Sequence, residues 1–214
     1  MKYHVAMKNL PGVILCATIW AYWLGVGIMI VRVHRKTSSL RMGGLVPRQP
    51  LERLLWIVWV PLVASWLVLP YLALRRHGVW IRTPDWAIED PAYVALRWVA
   101  AGVAIGCLLL TAWCWARMDV NWSMAISDEH KGELIVDGLF ARVRHPIYTL
   151  SILLMLCTAA IVATTPMLVI ALVHVVLMHM KAANEERHLL AVHGDAYARY
   201  LQRTRRFSPR LGAS

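Results

Sequence analysis

Apolar residues run along this chain in five long stretches, each closed by charged or turn-forming residues. They cover about 11–33, 54–74, 92–115, 147–163 and 166–180, the last two parted only by Thr164, Thr165 and Pro166. A membrane-crossing helix needs about 20 apolar residues, with a range of roughly 17–25. The first three stretches meet that length, and the last two read as a short helical hairpin turning at Pro166, where a missing N–H is harmless at a helix start. Helices are the reading for spans of this length, because lipid offers the backbone no hydrogen-bond partners. Lys2 and Lys8 precede the first stretch as in a secretion signal. Its apolar run is longer than the ~7–15 residues of a signal's core, and no small-residue cleavage site follows, so it reads as a retained span.

Composition narrows the class. Hydrophobic residues make up 59% and charged residues 16% of the 214, against roughly 45–50% and 25% in soluble domains. A soluble domain has no place for so much apolar surface, and a disordered chain has far less of it. The expectation is an all-α integral membrane protein with about five transmembrane helices. The net charge is nevertheless +11, and its distribution is informative. With five spans, one face collects seventeen of the Lys and Arg residues, from Arg32 to Arg53, Arg117 to Arg144 and Lys181 to Arg210, and the other face five. The positive-inside rule puts the richer face and the C-terminus in the cytoplasm and the N-terminus outside, as in a bacterial-type inner membrane. The basic balance is then a topology signal that also attracts anionic lipids. No basic-aromatic platform for bases accompanies it, so no nucleic-acid partner is expected.

Cys16, Cys107, Cys114 and Cys157 all fall within spans with no CxxC pair and no His cluster beside them. They read as apolar packers, and no metal site is expected. Trp80, Trp86, Trp113, Trp115 and Trp122 fall near predicted interfaces, where indoles anchor helices. Arg97, His174 and His179 lie inside spans. Intramembrane ionisable groups are functional candidates, although Arg97 reads equally as a snorkelling side chain.

The polar information sits in the last hundred residues, in three segments on the basic face. The first is Asn121-Trp122-Ser123. The second runs over 132–148 and includes Leu134, Ile135, Val136, Gly138, Phe140, Arg144, His145, Pro146 and Tyr148. Gly138 permits a tight turn and Pro146 suits a helix start. Arg144 and His145 therefore stand at a helix N-terminus, which favours an anion, with Tyr148 one turn in. The plainer alternative is an Arg-His pair capping the helix and touching lipid phosphate. In the third segment Glu185 and Glu186 follow the fifth span, and adjacent helical residues point about 100° apart. One carboxylate can then face an internal site and the other an Arg or solvent; an ordinary charged helix exit is the alternative. Beyond them, the aromatic and basic spacing of Gly194, Tyr197, Tyr200, Arg203 and Arg206 suits a short amphipathic helix on the membrane surface.

These segments, in this order, resemble the isoprenylcysteine carboxyl methyltransferase family and, more broadly, the phospholipid N-methyltransferases. The shared pattern is Asn121-Trp122-Ser123, a Leu134-to-Gly138 turn and Arg144-His145-Pro146-Ile147-Tyr148. It continues through a hairpin to Glu185-Glu186, a Gly-x-x-Tyr-x-x-Tyr stretch ending at Tyr200, and Arg206 to Pro209. The likeness covers about 117–210. Leu150 stands where many members have Gly, two residues after the Tyr.

The resemblance implies an enzyme that uses S-adenosylmethionine, held on the cytoplasmic side in a pocket built from the 117–146 loop and the C-terminal helix. Arg144, His145 and the N–H groups near Pro146 would meet the cofactor's carboxylate. Glu185 or Glu186 would meet its amino or ribose groups. The backbone around Leu134, Ile135, Val136 and Gly138 would hold the adenine, and Tyr148 or Phe140 would lie near the sulfonium. The acceptor would be lipophilic, an isoprenylcysteine-type carboxylate, with Asn121, Trp122, Arg203 and Arg206 as substrate contacts and Arg144, His145 and Glu185 as catalytic residues. The chain divides into a three-helix membrane region, 1–115, and a methyltransferase region, 116–214, integrated as one domain. A phospholipid amine acceptor, an NADPH-dependent sterol-reductase-like enzyme and a non-catalytic membrane scaffold stand as alternatives.

Overall fold

The computed structural model describes residues 9–37, 49–75, 78–123 and 133–210. Lys2, Lys8, Arg41, Arg48, Arg76, Lys131 and Gly132, which entered the charge and motif readings, lie outside them. Seven α-helices follow one another among the described residues: α1 (Leu10–Thr37), α2 (Pro50–Leu74), a four-residue α3 (Trp86–Glu89), α4 (Pro91–Met118), α5 (Pro146–Val162), α6 (Thr165–His193) and α7 (Asp195–Arg203). A 3-10 turn, Asp119–Asn121, continues α4. No strand forms among them; an isolated bridge pairs Val143 with Arg205.

Proline and aspartate mark the helix starts. Pro50, Pro91 and Pro146 open α2, α4 and α5, where the absent N–H costs nothing. Asp90 caps α4 by accepting the Tyr93 N–H at 2.7 Å. Ala163 ends α5 in the left-handed region, φ 53°, and α6 begins two residues later. Helices α1, α2, α4 and α6 are long and apolar enough to cross a membrane, while α5 has 17 residues. The expected pair of short helices is therefore unequal. The apolar stretch at 166–180 belongs to a 29-residue helix that runs on unbroken through Glu185 and Glu186.

A helix that stops early in an apolar surrounding needs partners for its last carbonyls, and α4 supplies them. Tyr93 donates its hydroxyl to the Ala160 carbonyl at 2.8 Å, and Arg97 donates Nε to that of Ile161 at 3.1 Å. Arg97 also donates Nη2 to Asn9 Oδ1 at 2.9 Å and is 1% exposed. It does not snorkel; it is drawn inward by the Ile161 carbonyl at the α5 terminus and the Asn9 amide oxygen. The bundle closes around Trp66, which is fully buried and donates Nε1 to Thr158 Oγ1 at 3.0 Å. Outward faces remain apolar, as at Leu24, Ile57, Leu109 and Leu172, which suits lipid.

Two expectations about aromatic residues change. Trp80, Trp86 and Trp113 are exposed, whereas Trp115 and Trp122 are buried at 5% and 7%, with Trp115 packed against Gly25 and Tyr22. In α7, Tyr197 and Tyr200 are buried and face protein rather than a membrane surface: Tyr200 donates its hydroxyl to the Phe140 carbonyl at 2.6 Å. All four cysteines are buried and free.

Candidate functional site

The segment before α5 and the segment after α7 lie side by side. The Arg144 N–H reaches the Arg205 carbonyl at 2.9 Å and the His145 N–H that of Arg206 at 3.2 Å. This zip brings side chains sixty residues apart onto one carboxylate. Glu186 Oε1 accepts from Arg144 Nε at 3.0 Å and from Arg206 Nε at 3.1 Å, and Oε2 accepts from Arg206 Nη2 at 2.5 Å. His145 Nε2 lies 3.2 Å from Oε1. Arg144 Nη1 donates to the Thr204 carbonyl and, at 3.4 Å, to that of Leu201. Charge-assisted bonds of this kind are short and strong; the one from Glu186 is the leading influence holding the Arg206 guanidinium above its usual pKa.

Glu185 points elsewhere, as adjacent helical positions must. It accepts the Tyr148 hydroxyl at 2.8 Å and lies 3.7 Å from His145 Nδ1. The His145 and Tyr148 rings are 5.3 Å apart and nearly parallel, with Phe207 tilted 6.2 Å from His145. The side chain of Glu185 is 33% exposed against 11% for Glu186. The pair thus divides the labour: Glu186 is saturated by protein groups, and Glu185 presents an accessible carboxylate beside a stacked ring pair.

The 133–140 segment lies against α4. Gly138 has φ +57°, and a Cβ there would run into the Trp113 ring, so both backbone and packing demand glycine. Asp137 pairs with Arg117, Oδ1 accepting from Nε at 3.0 Å, and this bond above all holds its carboxyl below the usual range. Leu134 and Ile135 are half-buried, Val136 is 46% exposed, and Phe140 is buried. Burial pushes the Tyr200 hydroxyl up to about 12.

Beside this cluster a cavity of about 70 Å³ opens between the helices, ringed by Tyr22, Trp23, Trp59, Trp115, Trp122 and Tyr148. Tyr148 belongs to both regions, its hydroxyl tied to Glu185 and its ring in the cavity wall. The polar members are Lys181, Ser151, Ser123 and His174. Lys181 Nζ stands 5.7 Å from the Tyr148 ring centre and 5.8 Å from that of Trp59, within cation–π range. Ser151 Oγ and His174 Nε2 are 3.1 Å apart. Trp115 seats its ring over Gly25, where a Cβ would come within 2.5 Å of it.

Six of the residues expected at the site thus meet: Arg144, His145, Tyr148, Glu185, Glu186 and Arg206. Pro146 opens the helix beneath them. Trp122 joins them through the cavity, and Asn121 ends the 3-10 turn before it. Arg203 is exposed at the end of α7 and takes no part in the Glu186 cluster. Phe140 is buried, its carbonyl accepts the Tyr200 hydroxyl, and it does not line the cavity. His179 donates Nδ1–H to the Val175 carbonyl at 2.8 Å and packs its ring on Phe207. Sequence reasoning missed Lys181, Trp59 and the α1 wall. The available signal was aromatic spacing: Tyr22-Trp23 and Trp56, Trp59 and Trp66 recur at helical intervals on the first two spans. Among the described residues no group of three or more His, Cys, Asp or Glu is placed to hold a metal ion.

Residues 90–191, a little under half of the chain, match the Isoprenylcysteine carboxyl methyltransferase (ICMT) family. No curated protein matches the chain.

Proposed function

We propose that this chain, whose residues 90–191 match the isoprenylcysteine carboxyl methyltransferase family, is a membrane methyltransferase that uses S-adenosylmethionine to methylate a lipophilic carboxylate of the isoprenylcysteine type. The observation that carries the reading is Tyr148, whose hydroxyl binds the accessible carboxylate of Glu185 while its ring walls the intramembrane cavity. One side chain therefore joins a polar cluster suited to a water-soluble zwitterion with an aromatic cavity suited to a lipid-soluble acceptor.

The residues present fit the cofactor's chemistry. Glu185 offers a carboxylate to amino or ribose hydroxyl groups, and the exposed backbone around Val136 and Gly138 offers donors and acceptors to an adenine edge. The Tyr148 ring is an aromatic face of the kind that attracts a cation, and it stands within cation–π range of the Lys181 ammonium. Bound S-adenosylmethionine supplies an electrophilic methyl group. What this chain adds is alignment, which carries much of the acceleration in a one-step displacement. Arg144, Glu186 and Arg206 fix the His145 ring; their own hydrogen bonds are directed at one another, so their role is positioning rather than contact with a ligand. An ionised carboxylate needs no base. An amine acceptor would require one, and His145, held by both glutamates, is the group in reach. Trp122 and Asn121 face the acceptor side in this reading. The basic face lies in the cytoplasm against anionic lipid, and the C-terminus and site share it.

Purified protein in nanodiscs, given labelled methyl donor and a membrane lipid extract, is expected to transfer label into a lipid product. Glu185→Gln is expected to weaken donor binding on the order of tenfold to a hundredfold, the range for losing a charge-assisted hydrogen bond. Absence of labelled lipid with wild-type protein, or unchanged donor affinity in the variant, refutes the assignment.

A further inference from the structure

Among the described residues only Asp119 and Ala163 combine a side chain with positive φ, and Asp119 does so at φ 45° and ψ −115°. A side chain disfavours that backbone, which persists only where the surroundings hold it. The holding groups come from α1. Arg32 Nη2 stands 2.9 Å from Asp119 Oδ1, and Lys36 Nζ stands 2.7 Å from Oδ2. Residues four apart lie on one face of a helix, so a single carboxylate takes both cations. The hydrogen bond from Lys36 is the leading influence keeping the Asp119 carboxyl below its usual range.

The backbone of Asp119 links two members of the cavity wall. Its N–H donates to the Trp115 carbonyl, and its own carbonyl accepts the Trp122 N–H at 3.3 Å. Here α4 ends and the 3-10 turn begins, and Trp122 leaves that turn 7% exposed, with Ser123 beside it in the cavity lining. Asp119 does not line the cavity itself; it touches it through its neighbours. Arg32 and Lys36 lie outside residues 90–191, so the fastening is supplied by a part of the chain that the family match does not cover. The three side chains are one-third to one-half exposed, which leaves their attraction open to screening by salt.

We propose that Asp119 is a positioning residue: clamped by Arg32 and Lys36 of α1, it sets where Trp122 and Ser123 stand in the cavity wall and so governs how the acceptor is held. The proposal rests on the methyltransferase reading for what the cavity does, whereas the clamp itself requires no methyl transfer. Its effect is selective. Glu185 and His145 are fastened by α6 and the C-terminal segment, so the acceptor and not the methyl donor depends on the clamp.

Asp119→Asn tests it, since asparagine tolerates positive φ and removes only the charge. Two near-surface ion pairs together shift an equilibrium about tenfold. In phosphatidylcholine nanodiscs without methyl donor, hydrogen exchange of the 119–123 segment, followed by mass spectrometry, should be about tenfold less protected in the variant than in wild type. With S-adenosylmethionine and N-acetyl-S-farnesylcysteine, the variant should raise the acceptor KM about tenfold and keep kcat and the donor KM within about twofold. Raising salt from about 0.05 M to about 0.5 M should move wild type toward the variant in both readouts and leave the variant unmoved. In an Arg32→Gln, Lys36→Gln background, Asp119→Asn should add less than about twofold, because the three groups act as a unit. Wild-type protection of 119–123 in Asp119→Asn overturns the proposal, as does a full further loss in the double-Gln background or an equal loss of donor and acceptor affinity. Wild-type protein that labels no lipid sinks the methyltransferase reading alone, because exchange and its salt dependence still decide the clamp. Transfer with an unaltered acceptor KM in Asp119→Asn sinks this proposal alone.

Discussion

Replacing Arg144 by Met and Glu186 by Gln, singly and together, measures how firmly the C-terminal segment is clasped to the hairpin. The two side chains are 12% and 11% exposed and bonded at 3.0 Å. Removing one member of a buried pair costs about 3–5 kcal/mol because the other is left uncompensated. Here Glu186 keeps Arg206 and His145 when Arg144 is lost, and Arg206, one-third exposed, compensates only as a near-surface pair of about 0–1 kcal/mol. Each single variant should therefore cost about 2–3 kcal/mol, with a coupling of about 1.5–2.5 kcal/mol between them. The loss is local, since the pair joins α6 to the start of α5 and, through the Thr204 and Leu201 carbonyls, to the end of α7. Local opening appears as protease sensitivity rather than bundle unfolding. Arg203 and Arg205 are exposed trypsin sites within that segment, and cleavage there tracks the open population when reclosing is fast. An opening of about 3 kcal/mol raises cleavage roughly a hundredfold, followed by mass spectrometry of the released C-terminal peptide. Single variants that add within about 0.5 kcal/mol, or that cleave at wild-type rates, would refute the clasp.

Two further outcomes follow from the geometry. Arg97→Met strips the Ile161 carbonyl and Asn9 of their donor and should destabilise the bundle by about 1–3 kcal/mol in thermal unfolding, with Arg97→Lys restoring only part because a point charge cannot replace a fork of donors; an unshifted unfolding midpoint in Arg97→Met argues against carbonyl capping. Burial raises the Tyr200 pKa to about 12, so its contribution to α7 docking is complete below the unfolded value of about 10 and is lost as pH rises through about 12; absorbance titration should show a late-ionising phenol that Tyr200→Phe removes, and an identical titration in the variant contradicts it.

The legibility of the chain in its sequence follows the distance over which each feature is decided. Hydropathy located α1, α2 and α4 because lipid selects apolar residues position by position. The Arg144-to-Tyr148 and Glu185-Glu186 groups were legible as a set, since helix starts and adjacent helical positions have fixed local geometry. Partner choice was not. That Glu186 would absorb both Arg144 and Arg206, leaving Glu185 exposed, depends on the zip between residues 143–145 and 205–206, a pairing with no periodic signal. Arg97 stood open between a functional group and a snorkelling side chain because hydropathy marks where α5 stops but not that its last carbonyls face Tyr93 and Arg97. The cavity was missed for a related reason: its wall comes from α1 and α2, where an indole facing lipid and an indole facing inward are the same letter.

The zip also imposes an order on biogenesis. His145 gains its backbone partner from Arg206, and Glu186 gains its second guanidinium from the same residue, so a ribosome-bound chain that has inserted α1 through α6 still lacks the fastening for its own site. Insertion into the bilayer and acquisition of the site are thereby separate events, the second waiting on residues 205–206, which leave the ribosome after α6. A nascent chain that ends before Arg206 would sit in the membrane with its helices in place, its His145 N–H without the Arg206 carbonyl and its Glu186 short of one guanidinium.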